Sequence, residues 1–344
     1  MNKTPMEKEF SVLGIGEVML RLSPPLKSRI SHSEIFEKKA GGSELNVVSG
    51  ISQLGMRTGI ITKLPDNEIG KYASRRIRYS GVSDDYVIFD KDARARLGIY
   101  YYECGAYPRM SAVSYDRRAS SFTSFKACEL DEDIYGKCDV FHTSGITLAL
   151  GESLRLDVIK MMERFKERGA VISFDVNYRA ALWSEEEARR TVEGILPYTD
   201  ILFISEETSR RSFKMEGTLR EIHESFARKY PNLRVIASTM RRASSPSKHD
   251  FTSLVYDVKE RRHFEEAPYV GIDVVDRIGS GDAYVAGALY AYLRFGRIEE
   301  TVKYGNAMAA LKSTVLGDIT ECDLGDIERI IKNHSEGERS EILR

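Results

Sequence analysis

The chain has 344 residues, of which 42% are hydrophobic and 30% charged, with a formal net charge of −1. That length supplies ample material for a core, in one large α/β domain or in two or three smaller ones. A balance so close to neutral leaves no field that would draw nucleic acid or a membrane surface, so neither is expected as a partner.

The four cysteines, Cys104, Cys128, Cys138 and Cys322, form no C-x-x-C pair and no zinc spacing, and they read as reduced thiols. None of the six histidines stands in an H-E-x-x-H pattern, so no protein-held metal site is expected. Met1 to Phe10 is polar, and Gly14, Gly16 and Glu17 interrupt the apolar run that follows. Neither a signal peptide nor a membrane span fits that pattern, and the expected location is cytoplasmic.

Phe10 to Ile15 predicts a buried first strand of a parallel sheet. Gly14-Ile15-Gly16-Glu17 suggests a dinucleotide fingerprint, but Met19 stands where its third glycine belongs and Arg21 to Pro25 breaks any immediate helix. Ala40-Gly41-Gly42-Ser43-Glu44-Leu45-Asn46 then leads into a helix with Val47, Val48, Ile51 and Leu54 on one face and Gly55 as its stop. Gly42 would let a ligand approach the backbone, and Asn46 has both a donor and an acceptor to present. A plain loop with an exposed asparagine fits the same residues.

Thr58 to Lys63, Asn67 to Ser80 and Tyr86 to Phe89 predict strand, helix and strand, the rhythm of βαβ units. Arg96 to Ser121 departs from it. Gly98 to Gly105 and Met110 to Arg118 predict two aromatic-rich strands of a hairpin, with Tyr115 and Arg117 on one face, suited to a polar or anionic small molecule. Val140 to Thr143 predicts a strand, and Leu154 to Arg168 a helix whose apolar face is Leu156, Ile159, Met162 and Phe165. Val171 to Phe174 predicts a buried strand that turns abruptly polar at Asp175, Asn177 and Arg179, the end at which open α/β sheets bind ligands.

Glu185 to Leu196 predicts a helix and Asp200 to Ile204 a strand that ends in Ser205-Glu206-Glu207. Arg234 to Ser238 predicts another strand, Thr239 to Asp250 a polar, basic loop, and Thr252 to Val258 a returning edge strand. Asp276-Arg277-Ile278-Gly279-Ser280-Gly281-Asp282 predicts a glycine-rich turn that opens into a helix. The amides of Gly279, Ser280 and Gly281 can converge there at a helix N-terminus, which favours an anion of phosphate size. Asp282, in the first helical turn, is placed to take a proton from a hydroxyl held over the same amides. The P-loop pattern does not occur, and a simple helix cap after a flexible turn is the alternative. His334 to Arg344 is polar and predicts a frayed tail.

Taken together these segments resemble the ribokinase / phosphofructokinase-B family of sugar kinases over nearly the whole chain. Gly41-Gly42 to Asn46 is similar to the family's N-terminal signature and Asp276 to Asp282 to its C-terminal one. Phe174 to Trp183 and Tyr115-Asp116-Arg117 are most similar to its 2-keto-3-deoxygluconate kinase branch. The resemblance implies a ribokinase-like three-layer α/β/α sandwich with a mostly parallel central sheet and a small β-strand lid. It implies one kinase domain over 1–333, with lid strands from about 17–40 and 96–121 and a tail over 334–344.

The activity it implies is ATP-dependent phosphorylation of the C6 hydroxyl of 2-keto-3-deoxygluconate, with Mg²⁺ arriving on ATP. The alternatives are another sugar or sugar acid, such as a ketogluconate or fructose, or a non-catalytic sugar- or nucleotide-binding regulator. By the same resemblance, Gly42, Asn46, Tyr100, Tyr115, Arg117, Arg179 and Asp318 would bind the sugar acid. Asp282 would be the base, and Gly279, Ser280 and Gly281 would hold the γ-phosphoryl group. The family's Asn-x-x-Glu motif is replaced by Ser205 and Thr208, with Glu206 and Glu207 as substitutes. On the ATP side the expected contacts are Ser205, Thr239, Arg241 and, near adenine, Asn306. A homodimer or higher homo-oligomer is also implied.

Overall fold

The computed structural model describes residues 8–337 apart from 107 and 246, and of 244 the backbone alone. The strands, in chain order, are β1 (Phe10–Ile15), β2 (Met19–Ser23), β3 (Glu37–Gly41), β4 (Thr58–Pro65), β5 (Val87–Asp90), β6 (Gly98–Glu103) and β7 (Ala112–Asp116). They continue with β8 (Cys138–Ser144), β9 (Val171–Asp175), β10 (Ile201–Phe203), β11 (Val235–Ser245), β12 (Lys248–Asp257), β13 (Arg262–Glu265) and β14 (Tyr269–Asp273). The central 10-stranded sheet has the order β13-β12-β11-β10-β9-β8-β1-β4-β5, with β14 also paired to β12. The pairs from β5 through to β11 are parallel, and β12 and its partners are antiparallel.

Alternating side chains along these strands feed two cores, one on each face. Leu202 and Ile204 pack with Phe141, Phe165 and Phe174, while Ile201 and Phe203 pack with Val12, Tyr284 and Leu289. Such period-2 segregation makes the sheet the middle of three layers. The helices Glu152–Glu167, Glu185–Ile195 and Leu219–Lys229 cover one face, and Ser43–Gln53, Ser280–Phe295 and Ile298–Ser313 the other. This is the expected three-layer architecture. Phe141 and Phe165 stack at 4.1 Å between ring centroids, and both are fully buried.

The helix Glu152–Glu167 buries Leu154, Val158, Met161, Met162 and Phe165, and Leu156 is exposed. The apolar face is therefore rotated from the expected one, because Leu154 and Val158, four residues apart, head the stripe that faces the sheet. The expected loop over Thr239 to Asp250 is instead a hairpin, with β11 and β12 paired from Val235↔Asp257 down to Ser245↔Lys248. Its arm carries exposed Arg241, Arg242 and Ala243, so polar residues there do not oppose strand formation. The last helix, Leu324–Glu336, takes in His334 to Glu336 of the expected tail; residues 338–344 lie outside the described ones.

A second, 4-stranded sheet of order β3-β2-β6-β7 is built from the two segments expected to form a lid. The chain runs from β1 to β4 and β5 on one side, then returns to β8 and β9 on the other, so the order reverses between β1 and β8. Ligands in open α/β sheets bind outside the carboxyl ends of the strands at such a reversal. Glu17 follows β1, Ser144 ends β8 and Asp175 ends β9, and Met19, Tyr100 and Tyr115 of the small sheet border one cavity with Asp175.

Candidate active site

Asp282 lies in the first turn of the helix Ser280–Phe295, beside the carboxyl ends of the central strands. Its Oδ1 accepts from Ser43 Oγ at 2.8 Å and its Oδ2 from Asn46 Nδ2 at 2.7 Å, both on the first turns of the helix Ser43–Gln53. Asn177 Nδ2 donates to Ser43 Oγ at 2.8 Å, which brings the end of β9 into the same network. Burial raises the pKa of Asp282, while the bonds from Asn46 and Ser43 pull it down. Burial, and then the charge of Asp282, push Asp175 up to about 7.

Gly279 caps the helix with φ 82°, and a Cβ there would stand 2.0 Å from the Asp318 carbonyl oxygen. Both the left-handed backbone and the close approach therefore require glycine. Gly42 is similarly constrained, since a Cβ would meet the Glu17 carbonyl oxygen at 2.3 Å. Gly281 differs: a Cβ there would meet nothing within 4 Å, so no packing in the fold accounts for its lack of a side chain.

Two cavities meet at this point. The larger, of about 870 Å³, is bordered by Gly42, Asn46, Tyr100, Tyr115, Arg117, Arg179, Arg241, Asp318 and the run Gly279 to Asp282. The smaller, of about 480 Å³, is bordered by Ser205, Glu207, Thr208, Thr239 and Tyr284. Asp175, Asn177, Arg179 and Gly281 border both. A glycine-rich helix start with a carboxylate at the junction of two chambers suits transfer of an anionic group from a ligand in one to a hydroxyl in the other.

The match to the pfkB family of carbohydrate kinases runs over residues 10–323. The chain belongs to that family. It is 34% identical to a 2-dehydro-3-deoxygalactonokinase of Haloferax volcanii over 322 residues, 94% of this chain and 96% of that one. Among solved structures it resembles a 2-dehydro-3-deoxygluconokinase of Thermotoga maritima, at 33% identity and a TM-score of 0.88, covering 93% of this chain and 99% of that one. A pfkB family carbohydrate kinase of Listeria grayi is similar at 34% identity and the same TM-score of 0.88, again over 93% and 99%.

In this pfkB kinase the arginines expected on the sugar side occupy unlike settings. Arg179 is exposed, its Nη1 donating to the Tyr178 carbonyl at 3.1 Å. Arg117 is 9% exposed and already held: its Nε donates to Glu17 Oε2 at 2.8 Å and its Nη2 to the same oxygen. Tyr115 is half exposed beside it, and Tyr100 is buried with its hydroxyl donating to Asp318 Oδ2.

On the other side, Ser205 caps the short helix Glu206–Arg211 by accepting from Thr208 N at 3.1 Å, and Thr239 borders the smaller cavity. Arg241 does not border that cavity; it faces the larger one together with Arg277. Asn306 borders neither. It is fully buried, and its Nδ2 donates to Glu266 Oε1 at 2.8 Å.

Sequence reasoning passed over several charged groups that organise the site. Arg21, 3% exposed, donates to Asp318 Oδ1 at 2.7 Å and to Asp276 Oδ2 at 2.6 Å, which ties β2 to the loops of the main domain. Glu44, also buried, accepts from Ser144 N at 3.0 Å and from Ser144 Oγ and Thr147 Oγ1 at 2.7 Å. Arg21, a charged residue within the otherwise largely apolar run Met19–Ser23, was the available signal for one of them; Glu44, in the first turn of a helix after Gly42-Ser43, looks locally like an ordinary exposed helix-start acid.

Proposed function

We propose that this pfkB kinase transfers the γ-phosphoryl group of ATP to the C6 hydroxyl of 2-keto-3-deoxygluconate, giving 2-keto-3-deoxy-6-phosphogluconate. The observation that carries this reading is Asp282, held by Ser43 and Asn46 beside the Gly279 to Gly281 turn at the junction of two cavities. Asp282 takes the hydroxyl proton as the sugar oxygen bonds to the γ-phosphorus, and the bridging oxygen leaves with ADP. The amides of Gly279 and Gly281 meet the charge on the transferring group, while that of Ser280 donates to the Arg277 carbonyl at 3.2 Å and closes the turn between them.

The sugar acid occupies the larger cavity. Asn46 Oδ1 is buried with no protein partner among the described residues, an acceptor left for a sugar hydroxyl. Arg179 offers a planar fork to the acid's carboxylate, and Arg117 borders the same cavity while held by Glu17. ATP occupies the smaller cavity along Ser205, Thr208 and Thr239. Asp175 and Glu207, which border it, are hard oxygen donors that suit Mg²⁺, an ion that offsets phosphate charge when bound. The relatives named for 2-keto-3-deoxy acids favour this substrate class, and the Haloferax relative makes the galactonate epimer the second reading.

β7 is exposed along its whole length at the edge of the small sheet, which supports pairing with a second copy of the chain. The deciding experiment for the function measures ADP release with 2-keto-3-deoxygluconate, its galactonate epimer, a ketogluconate and fructose. We expect the two 3-deoxy acids to give the highest kcat/KM. Preference for fructose would overturn the acid reading, and no sugar-dependent ADP release would make the protein a binding regulator.

A further inference from the structure

Lys312 is the one fully buried lysine among the described residues, at 0% exposure near the end of the helix Ile298–Ser313. An ammonium group taken out of water is costly unless it is well partnered. Its Nζ donates to the Asp276 carbonyl at 3.0 Å and to the Val315 carbonyl at 3.2 Å. Burial draws its pKa down to about 8, with Asp276 and Asp318 holding it up, so the charged form prevails at neutral pH.

The two carbonyls belong to two different loops. One, from Asp276, leads directly into Gly279 and the helix start; the other, from Val315, leads to Gly317 and Asp318. The Asp276 carboxylate joins the same loops through amides, since Oδ1 accepts from Ile278 N and Oδ2 from Gly317 N, both at 3.0 Å. These loops touch where Gly279 lies against the Asp318 carbonyl, too close for a Cβ. Arg21 closes the cluster from β2 by binding both aspartates.

We propose that Lys312 is a positioning residue for phosphoryl transfer, a built-in cation whose bonds to the Asp276 and Val315 carbonyls hold the Gly279 and Gly281 amides at the angle the transferring group needs. The proposal rests on reading that turn as the anion hole. A methionine of similar length supplies the packing of Lys312 but neither its charge nor its donors, whereas alanine leaves a carbonyl-lined space the size of a small cation.

The test compares Lys312→Met and Lys312→Ala with the unmodified protein, using ATP and 2-keto-3-deoxygluconate in a buffer whose only cations besides Mg²⁺ are bulky organic ones, then with ammonium chloride added. We expect both variants to lose kcat by up to about a hundredfold, as misplaced groups do, with KM for the sugar little changed. Ammonium should restore the alanine variant, leave the methionine variant low and leave the unmodified protein unaffected. Unchanged kcat in either folded variant would overturn the proposal, as would a loss in the alanine variant that ammonium does not restore. If the alanine variant does not fold, the methionine variant decides by the split between kcat and KM. If that too fails to fold, Lys312 serves stability alone and the proposal falls. Gly281→Ala separates this outcome from failure of the anion-hole reading, because normal turnover in Gly281→Ala would remove the hole itself.

Discussion

Ser43 donates its hydroxyl proton to Asp282 Oδ1 at 2.8 Å while accepting from Asn177 Nδ2 at the same distance, so one small side chain couples the proposed base to the end of β9. The bond stabilises the ionised carboxylate and lowers its pKa. Ser43→Ala should therefore move the acid limb of kcat/KM to higher pH and lower turnover near neutrality by about tenfold, the worth of one bond to a charged group. Asp282→Asn should lower kcat by roughly 10²–10⁴-fold with substrate binding retained, read by isothermal titration beside the kinetics.

Asp175 and Asp282 face the larger cavity together, and the second charge helps to hold the first near pH 7. Removing that charge in Asp282→Asn should lower the Asp175 pKa while leaving it above the ordinary aspartate value, because burial remains. A carboxyl-carbon NMR titration reads this directly; an unmoved Asp175 would mean that the two groups do not interact.

Glu17 and Arg117 form a buried pair, with Ser120 Oγ also donating to Glu17. Removing one member leaves the other charged and desolvated, so Arg117→Ala should lower the unfolding free energy by about 3 kcal/mol. Truncating Glu17 as well should recover part of that loss in denaturant unfolding. If Arg117 only gripped substrate, Arg117→Ala would raise KM and leave stability unchanged.

Gly279 and Gly281 should respond differently to alanine. Gly279→Ala combines a left-handed backbone with a clash against the Asp318 carbonyl and should reduce both thermal stability and kcat. Gly281→Ala meets no protein atom, so its melting temperature should stay near that of the unmodified protein while turnover falls.

His142 is fully buried, its Nδ1 within 3.0 Å of Ser173 Oγ, and burial lowers its pKa to about 3. The folded protein thus stays unprotonated there while the unfolded chain takes a proton below its ordinary value of 6.5. Stability should fall as pH drops through that window, by up to about 1.4 kcal/mol per pH unit from this one group. Denaturant unfolding at the two ends of the window should show a smaller loss for His142→Asn.

Much of this protein was legible from local pattern. Short apolar runs marked β1, β4, β8, β9 and β10, and glycine-rich turns before helical periodicity marked Gly42 and Gly279, because backbone geometry and period are properties of short segments. The same logic brought Asp282, Asn46, Asp175 and Asn177 forward as candidates, and the fold gathers all of them at the reversal between β1 and β8.

What no segment carries is the partner of a charge. That Arg117 is held by Glu17, that Arg21 bridges Asp276 and Asp318, and that Lys312 rests on two carbonyls depend on residues up to 297 positions apart. The placement of Arg241 in the larger cavity and of Asn306 away from both likewise follows from how the β11–β12 hairpin and the helix Ile298–Ser313 pack. Sequence by itself determined which groups can do the chemistry; only the tertiary structure decided which of them are free to do it, because burial and pairing set the state of a charge and both are products of long-range packing.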